Sequence, residues 1–137
     1  RYVLLCPADH ELAARAAIGW SDFEGLPLVR ISPQAANRAI IDEALGARRE
    51  FMQWRYEVQH IATAVRLVAE RVALTVVPQL AFDPAVTPDL VALPIRNPSV
   101  TRTLGIVTNR AYAPSVAGEI LLDVIVKRFK AESPPSD

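Results

Sequence analysis

The stretch VAERVALTVVPQLAF, residues 68–82, runs the end of an apolar helix straight into a β-branched strand that stops at Pro78. Just before it, Ile61, Ala64, Val65, Val68, Ala69 and Val72 recur with the spacing of an amphipathic helix. Further upstream the period changes to two. In MQWRYEVQ (52–59), Trp54, Tyr56 and Val58 fall on one side and Gln53, Arg55 and Glu57 on the other, which predicts a half-buried strand with Arg55 in water. PLVRIS (27–32) reads as a short buried strand, and Ala36, Ile40, Ile41, Ala44 and Leu45 line one face of a helix over 35–45 that Gly46 stops. The run from 26 to 78 is therefore strand, helix, strand, helix, strand. That order predicts an α/β fold with a parallel sheet, flanking helices and right-handed crossovers.

Outward from this unit, RYVLLCP (1–7) is an apolar strand closed by Pro7, followed by a polar turn and a few helix formers. In SDFEGL (21–26) Ser21 is placed to cap a single helical turn that Gly25 ends. After the proline-broken loop AFDPAVTPD (81–89), LVALPI (90–95) is a strand, and RTLGIVTNR (102–110) is another beyond the NPS turn at 97–99. A last helix is expected from Pro114, in its first turn, to Lys130. Its apolar residues, from Val116 through Ile120, Leu121, Leu122, Val124, Ile125 and Val126 to Phe129, leave only a narrow strip around Asp123, Lys127 and Lys130 for water. Such a helix is expected to be covered on more than one side. The tail ESPPSD (132–137) is expected to be disordered.

With 137 residues, 51% of them hydrophobic, the chain is long enough for one core of ordinary size. Fifteen Lys and Arg balance fifteen Asp and Glu, so net charge draws this chain neither to a phosphate backbone nor to an acidic membrane. That balance also argues against reading the arginines and aromatics of RREFMQWRYE (48–57) as a single-strand nucleic-acid platform. No apolar run approaches the roughly 18 residues of a membrane span. Cys6 is the single cysteine, which excludes an internal disulfide and favours a cytoplasmic setting. Lying in an apolar strand without a second thiol to resolve a sulfenic acid, it reads as a buried structural residue and not a redox sensor. His10 and His60, far apart and without a cysteine pair, do not suggest a metal site, and no glycine-rich phosphate or dinucleotide pattern calls for a cofactor. The only methionine is Met52, and the opening residues already read as strand, so the chain is expected to be part of a longer protein.

Parallel sheets take ligands outside the carboxyl ends of their strands, where helix amino-termini present unpaired N–H groups. Three such ends exist here: ISPQAAN (31–37), VQHIA (58–62) and VVPQ (76–79). The candidate ligand contacts are accordingly Ser32, Pro33 and Gln34, then Gln59, His60 and Ile61, and Pro78. Ser32 is equally suited to capping the following helix, and His60 to lying idle on the surface. An enzyme on this fold would need an acid, base or nucleophile pair. His60 with Asp42 or Ser32 is the only such set to be assembled, and nothing in the spacing fixes its geometry.

Four segments in order, ADHELA (8–13), DFEGLPLVRIS (22–32), EVQHIATAVRLVAERVALTVVP (57–78) and RTLGIVTNRAYAPSVAGEILLDVI (102–125), resemble the effector-binding domain of LysR-type transcriptional regulators. The resemblance covers nearly the whole chain. It implies half of a type 2 periplasmic-binding-protein-like fold: residues 1–131 as a partial effector-binding domain, with about 7–95 forming the second subdomain. Residues 1–6 and 96–131 would be the crossing strands and carboxy-terminal helix of the first. It further implies a small-molecule effector, carboxylates included, held between subdomains near 31–37, 58–63 and Pro78. DNA would be bound only through an amino-terminal helix-turn-helix outside this chain, with a homodimer or homotetramer as the working assembly and neither catalysis, cofactor, metal nor membrane involved. The alternative on the same fold is the exported solute-binding protein of a transporter. One departure stands out. Where the family carries a glycine-containing turn between helix and strand, this chain has Arg71, Val72 and Ala73, so Arg71 must make the turn without a glycine's positive-φ freedom.

Overall fold

The computed structural model describes residues 1–32, 37–109, 111 and 114–132. Its polypeptide divides into two units, 1–102 and 103–137. The first is built around residues 61–78. The helix is α2 (Ile61–Ala69) and the strand β5 (Leu74–Pro78), whose five residues are all buried. Between them the chain turns back through a Schellman ending: the Arg71 N–H donates to the Val68 carbonyl (2.9 Å) and the Val72 N–H to that of Leu67 (3.0 Å). Such an ending needs a left-handed residue just past the helix, and Arg71 takes it, with φ 58°.

β5 lies beside β3 (Leu28–Ile31), and β3 beside β4 (Trp54–Val58), all parallel. Helix α1 (Asn37–Leu45) connects β3 to β4 and α2 connects β4 to β5, as their periodicity predicts. The two helices cover opposite faces. Ile41 and Leu45 of α1 join a core with Trp20, Phe23, Leu28, Leu74 and Val76, whereas Val68 and Ala64 of α2 pack on the other side against Val3, Leu5 and Val77 and against Val29 and Ile31. Each fully buried Val or Leu here contributes about 1.5–3 kcal/mol over an exposed one.

The sheet continues beyond the parallel unit. β1 (Tyr2–Pro7) pairs antiparallel with β5 on one side and with β6 (Leu90–Arg96) on the other, and β2 (Ile18–Gly19) adds a short parallel edge to β6. The strand order is β2-β6-β1-β5-β3-β4. Six consecutive buried residues in β1 follow from this central position, since both of its faces meet core.

Several local expectations are corrected. β4 does not keep one face throughout. Leu28 pairs with Trp54 but Val29 with Tyr56, so Arg55 is an extra residue, a bulge. Trp54 therefore packs on the α1 side and Val58 on the α2 side, and Tyr56 is 42% exposed because β4 is an edge strand. Ser21 is not the cap of the turn at Trp20–Phe23. The Gly19 N–H donates to the Asp22 carboxylate instead, at 2.7 Å. Past Gly46 the helix tightens into a 3-10 turn over Gly46–Phe51.

In the second unit, 103–109 carry no strand. An apolar run becomes a strand only where a neighbour takes its N–H and C=O groups, and no strand among the described residues pairs with it. Helix α3 spans Val116–Glu132. Its cap is Ser115, whose hydroxyl accepts the Gly118 N–H at 3.2 Å, so Pro114 precedes the helix and is not in its first turn. Asp123 and Lys127 pair across one turn at 2.6 Å. Val116, Ile120, Leu121 and Val124 are all more than half exposed in this chain. Of the expected tail, only Glu132 lies within the described residues.

Candidate effector-binding edge

Because β4, β3 and β5 run parallel, their carboxyl ends Val58, Ile31 and Pro78 reach one edge of the sheet. Ser32, Gln59, His60, Ile61 and Pro78 are thereby brought to that edge, as predicted, while Pro33 and Gln34 lie outside the described residues. Ser32 is 8% exposed, and its N–H donates to the Val58 carbonyl at 2.8 Å, tying the ends of β3 and β4 together. Deeper along the same strands, Thr75 is fully buried and its hydroxyl donates to the Val29 carbonyl at 3.0 Å, so a polar group beneath the edge is satisfied.

His60 is the residue at which α2 begins. Its carbonyl accepts from Thr63 (3.1 Å) and Ala64 (3.3 Å), its own side chain makes no capping hydrogen bond, and the residue is exposed. The positive end of the helix dipole therefore faces outward with an aromatic donor beside it. Gln59 is exposed as well. Ile61 points the other way, half-buried against Val68 and Ala64, and serves as the apolar anchor of the turn.

The antiparallel strands bring further groups to this edge that the sequence did not disclose. Tyr2 pairs with Pro78, the Gln79 N–H donates to the Arg1 carbonyl (2.9 Å), and the Tyr2 N–H to the Val100 carbonyl (2.8 Å). Tyr2 is 1% exposed. Burial pushes its phenol up from the ordinary value, while the Arg102 guanidinium, through its charge and a hydrogen bond, pulls it down. The indole of Trp20 donates to the Pro98 carbonyl at 2.9 Å and so holds the segment leaving β6. None of these pairings has a local sequence signal, because each joins residues remote in the chain.

On the α1 side of the same strands, Glu57 accepts from Arg30 at 2.8 Å and lies 3.6 Å from Arg38, which also holds Asp42 at 3.2 Å. Asp42 is thus engaged on the face of the sheet opposite α2. Among the described residues no group of His, Cys, Asp and Glu is arranged to hold a metal, and no helix is long and apolar enough to cross a membrane.

A mixed sheet with helices on both faces and three parallel strand ends on one edge defines a module of the α/β class. The chain belongs to the LysR family: the family model described as the LysR substrate binding domain matches residues 1–130. It is 28% identical over 125 residues to the uncharacterized HTH-type transcriptional regulator YbhD of Escherichia coli K12, covering 91% of this chain and 39% of that protein. To the uncharacterized regulator YfeR of Shigella flexneri it is 32% identical over 127 residues, covering 90% and 40%. The chain thus spans about two-fifths of the length of these HTH-type transcriptional regulators. Among solved structures it is similar to HinK, a LysR family regulator of Pseudomonas aeruginosa (TM-score 0.72, 13% identity, 93% of this chain and 44% of that one). It is also similar to the effector binding domain of QuiR in complex with shikimate (TM-score 0.66, 17% identity, 98% and 63%). The likeness in fold establishes the periplasmic-binding-protein-like architecture. Membership of the family, and not the shared fold, separates the chain from a transporter's solute carrier.

Proposed function

We propose that this chain is the effector-sensing part of a LysR-type transcriptional regulator. A small metabolite, carboxylates included, would be held at the edge formed by Ser32, Gln59, His60, Ile61 and Pro78, with Pro33 and Gln34 contributing from the loop after Ser32. The observation that carries the reading is the convergence of three parallel strand ends with the start of α2 at His60, whose side chain does not cap the helix. An anion placed there meets the helix dipole and an exposed imidazole, and no covalent chemistry is required of it.

The domain division follows the same reading. Residues from about 7 to 95 act as one lobe, and 1–6 with 96–131 as the crossing strands and helix of the other. Arg1, Tyr2 and Val100 meet beside Pro78, so both connections leave the lobe at the edge where the effector would sit. A ligand that binds one relative lobe arrangement more tightly than another shifts their populations, and only that difference in affinity does work. In the whole protein the shift would be passed to a homodimer or homotetramer holding DNA through an amino-terminal helix-turn-helix, in the cytoplasm.

Two experiments test this. The reading frame upstream of the Arg1 codon is expected to continue into a helix-turn-helix; a signal peptide there would overturn the regulator reading. In the full-length protein, His60→Ala is expected to weaken the transcriptional response to effector while leaving the thermal unfolding midpoint in place. An unchanged dose–response curve removes His60 from the site.

A further inference from the structure

The opposite edge of the sheet carries a second concavity, independent of the effector edge. A pocket of about 300 Å³ opens where β1 ends and β3 and β5 begin. That volume is at the lower end of the range for small-molecule sites. Its floor is apolar, with Leu26, Ala73 and Leu74, and its mouth is charged, with Asp9, His10 and Arg71.

The arrangement at the mouth is unusual for a surface. Arg71 occupies a left-handed position, φ 58°, that a glycine would fill without strain. From it the guanidinium Nη2 reaches Asp9 Oδ2, 2.6 Å away and 62 residues earlier in the chain. Asp89 adds a second negative charge felt by the same guanidinium. His10 accepts the Leu12 N–H on Nδ1 at 3.2 Å, so in the neutral ring the proton stands on Nε2, a donor at the mouth. Strain of this kind persists where the surroundings over-determine it, and it concentrates at ligand sites.

We propose that this pocket is a second ligand site and that it takes a zwitterionic α-amino acid with an apolar side chain. The carboxylate would be received by Arg71 and the His10 Nε2–H, the ammonium by Asp9, and the side chain by Leu26 and Leu74. Charge selects this class over a simple anion. A monoanion drawing Arg71 away would leave Asp9 unpaired and would itself lie close to Asp9 and Asp89. The zwitterion replaces one solvent-exposed ion pair, which is easily opened, by two, and leaves no charge alone.

The test is calorimetric titration of the full-length protein with L-leucine and L-phenylalanine. Their deaminated counterparts, 4-methylpentanoate and 3-phenylpropionate, serve as matched anions. At least one amino acid is expected to bind saturably, and its matched anion to bind at least about tenfold more weakly. Asp9→Asn and Arg71→Gly are each expected to weaken the amino acid by about tenfold or more. Arg71→Gly suits the local backbone, so its loss of binding with an undiminished unfolding midpoint cannot be a folding defect. Binding by neither amino acid, equal binding of the anions, or binding that survives both substitutions would overturn the proposal.

Discussion

Cys6 is the residue whose environment predicts the largest measurable contrast between folded and unfolded chain. It is the only cysteine, and near the end of β1 it is fully buried, in the core with Tyr2, Leu4 and Leu93. Burial pushes its thiol up from an ordinary 9.0 to about 11. At pH 8 a thiol with the ordinary value is about one-tenth thiolate, and one at about 11 only about one-thousandth. Since the thiolate is the nucleophile, ionisation alone makes the native thiol about a hundredfold slower toward a disulfide reagent than the urea-unfolded chain, and steric exclusion slows it further. Native and unfolded labelling rates with an aromatic disulfide at pH 8 measure this directly. A native rate within about tenfold of the unfolded one would refute the burial argument and reopen thiol sensing.

The same shift has a consequence in pH. The folded state holds the proton more tightly, so the stability it contributes is complete below pH 9 and is lost as pH rises from 9 to about 11. Two pH units correspond to about 2.7 kcal/mol as an upper figure. Urea unfolding of Cys6→Ala is expected to lack that part of the alkaline slope.

Three further outcomes are expected. Arg71→Gly, by removing the left-handed strain at φ 58°, should raise the thermal midpoint by about 2–4 °C, and a lower midpoint would show that the side chain's link to Asp9 outweighs the backbone. Trp20→Phe deletes the hydrogen bond to the Pro98 carbonyl and leaves part of a fully buried site empty. It should cost about 2–3 kcal/mol in urea unfolding, and a loss below about 0.5 kcal/mol would mean that the 97–100 segment is not held by the indole. The Gly19 N–H and then the Arg15 guanidinium hold the Asp22 carboxyl below its usual range. Its contribution should therefore be complete above the ordinary carboxylate value and vanish as pH falls through the lowered one, so the acid limb of the stability curve should flatten in Asp22→Asn.

Of the proposed effector edge, the part legible in the sequence is the part made by consecutive elements. The change of period at residue 60 and the β-branched run to Pro78 report burial along a local element, and parallel strands joined by helices must end on one edge. That places Ser32, Gln59, His60, Ile61 and Pro78 together without any coordinate. The glycine missing at position 71 was also visible, and so was the demand it makes on Arg71. Periodicity is silent on groups whose partners are remote. The Arg55 bulge leaves the alternation in the sequence intact and appears only as a slip in pairing, so the faces assigned to Tyr56 and Val58 were misread. The run at 102–110 had strand-like residues but no strand to pair with among the described ones.

By itself, then, the sequence determined the α/β class, the β3-α1-β4-α2-β5 unit, the shared edge of its strand ends and the family resemblance that the LysR match bears out. All of these rest on residues near one another in the chain or on an ordered set of such stretches. Only the tertiary structure decided that β1 lies antiparallel between β5 and β6, that Tyr2, with Arg102 acting on its phenol, lies beside Pro78, and that Arg71 reaches Asp9 across a pocket on the other side. Those facts depend on which distant segments pack together. That choice is made by the whole core at once, and no single stretch of sequence carries it.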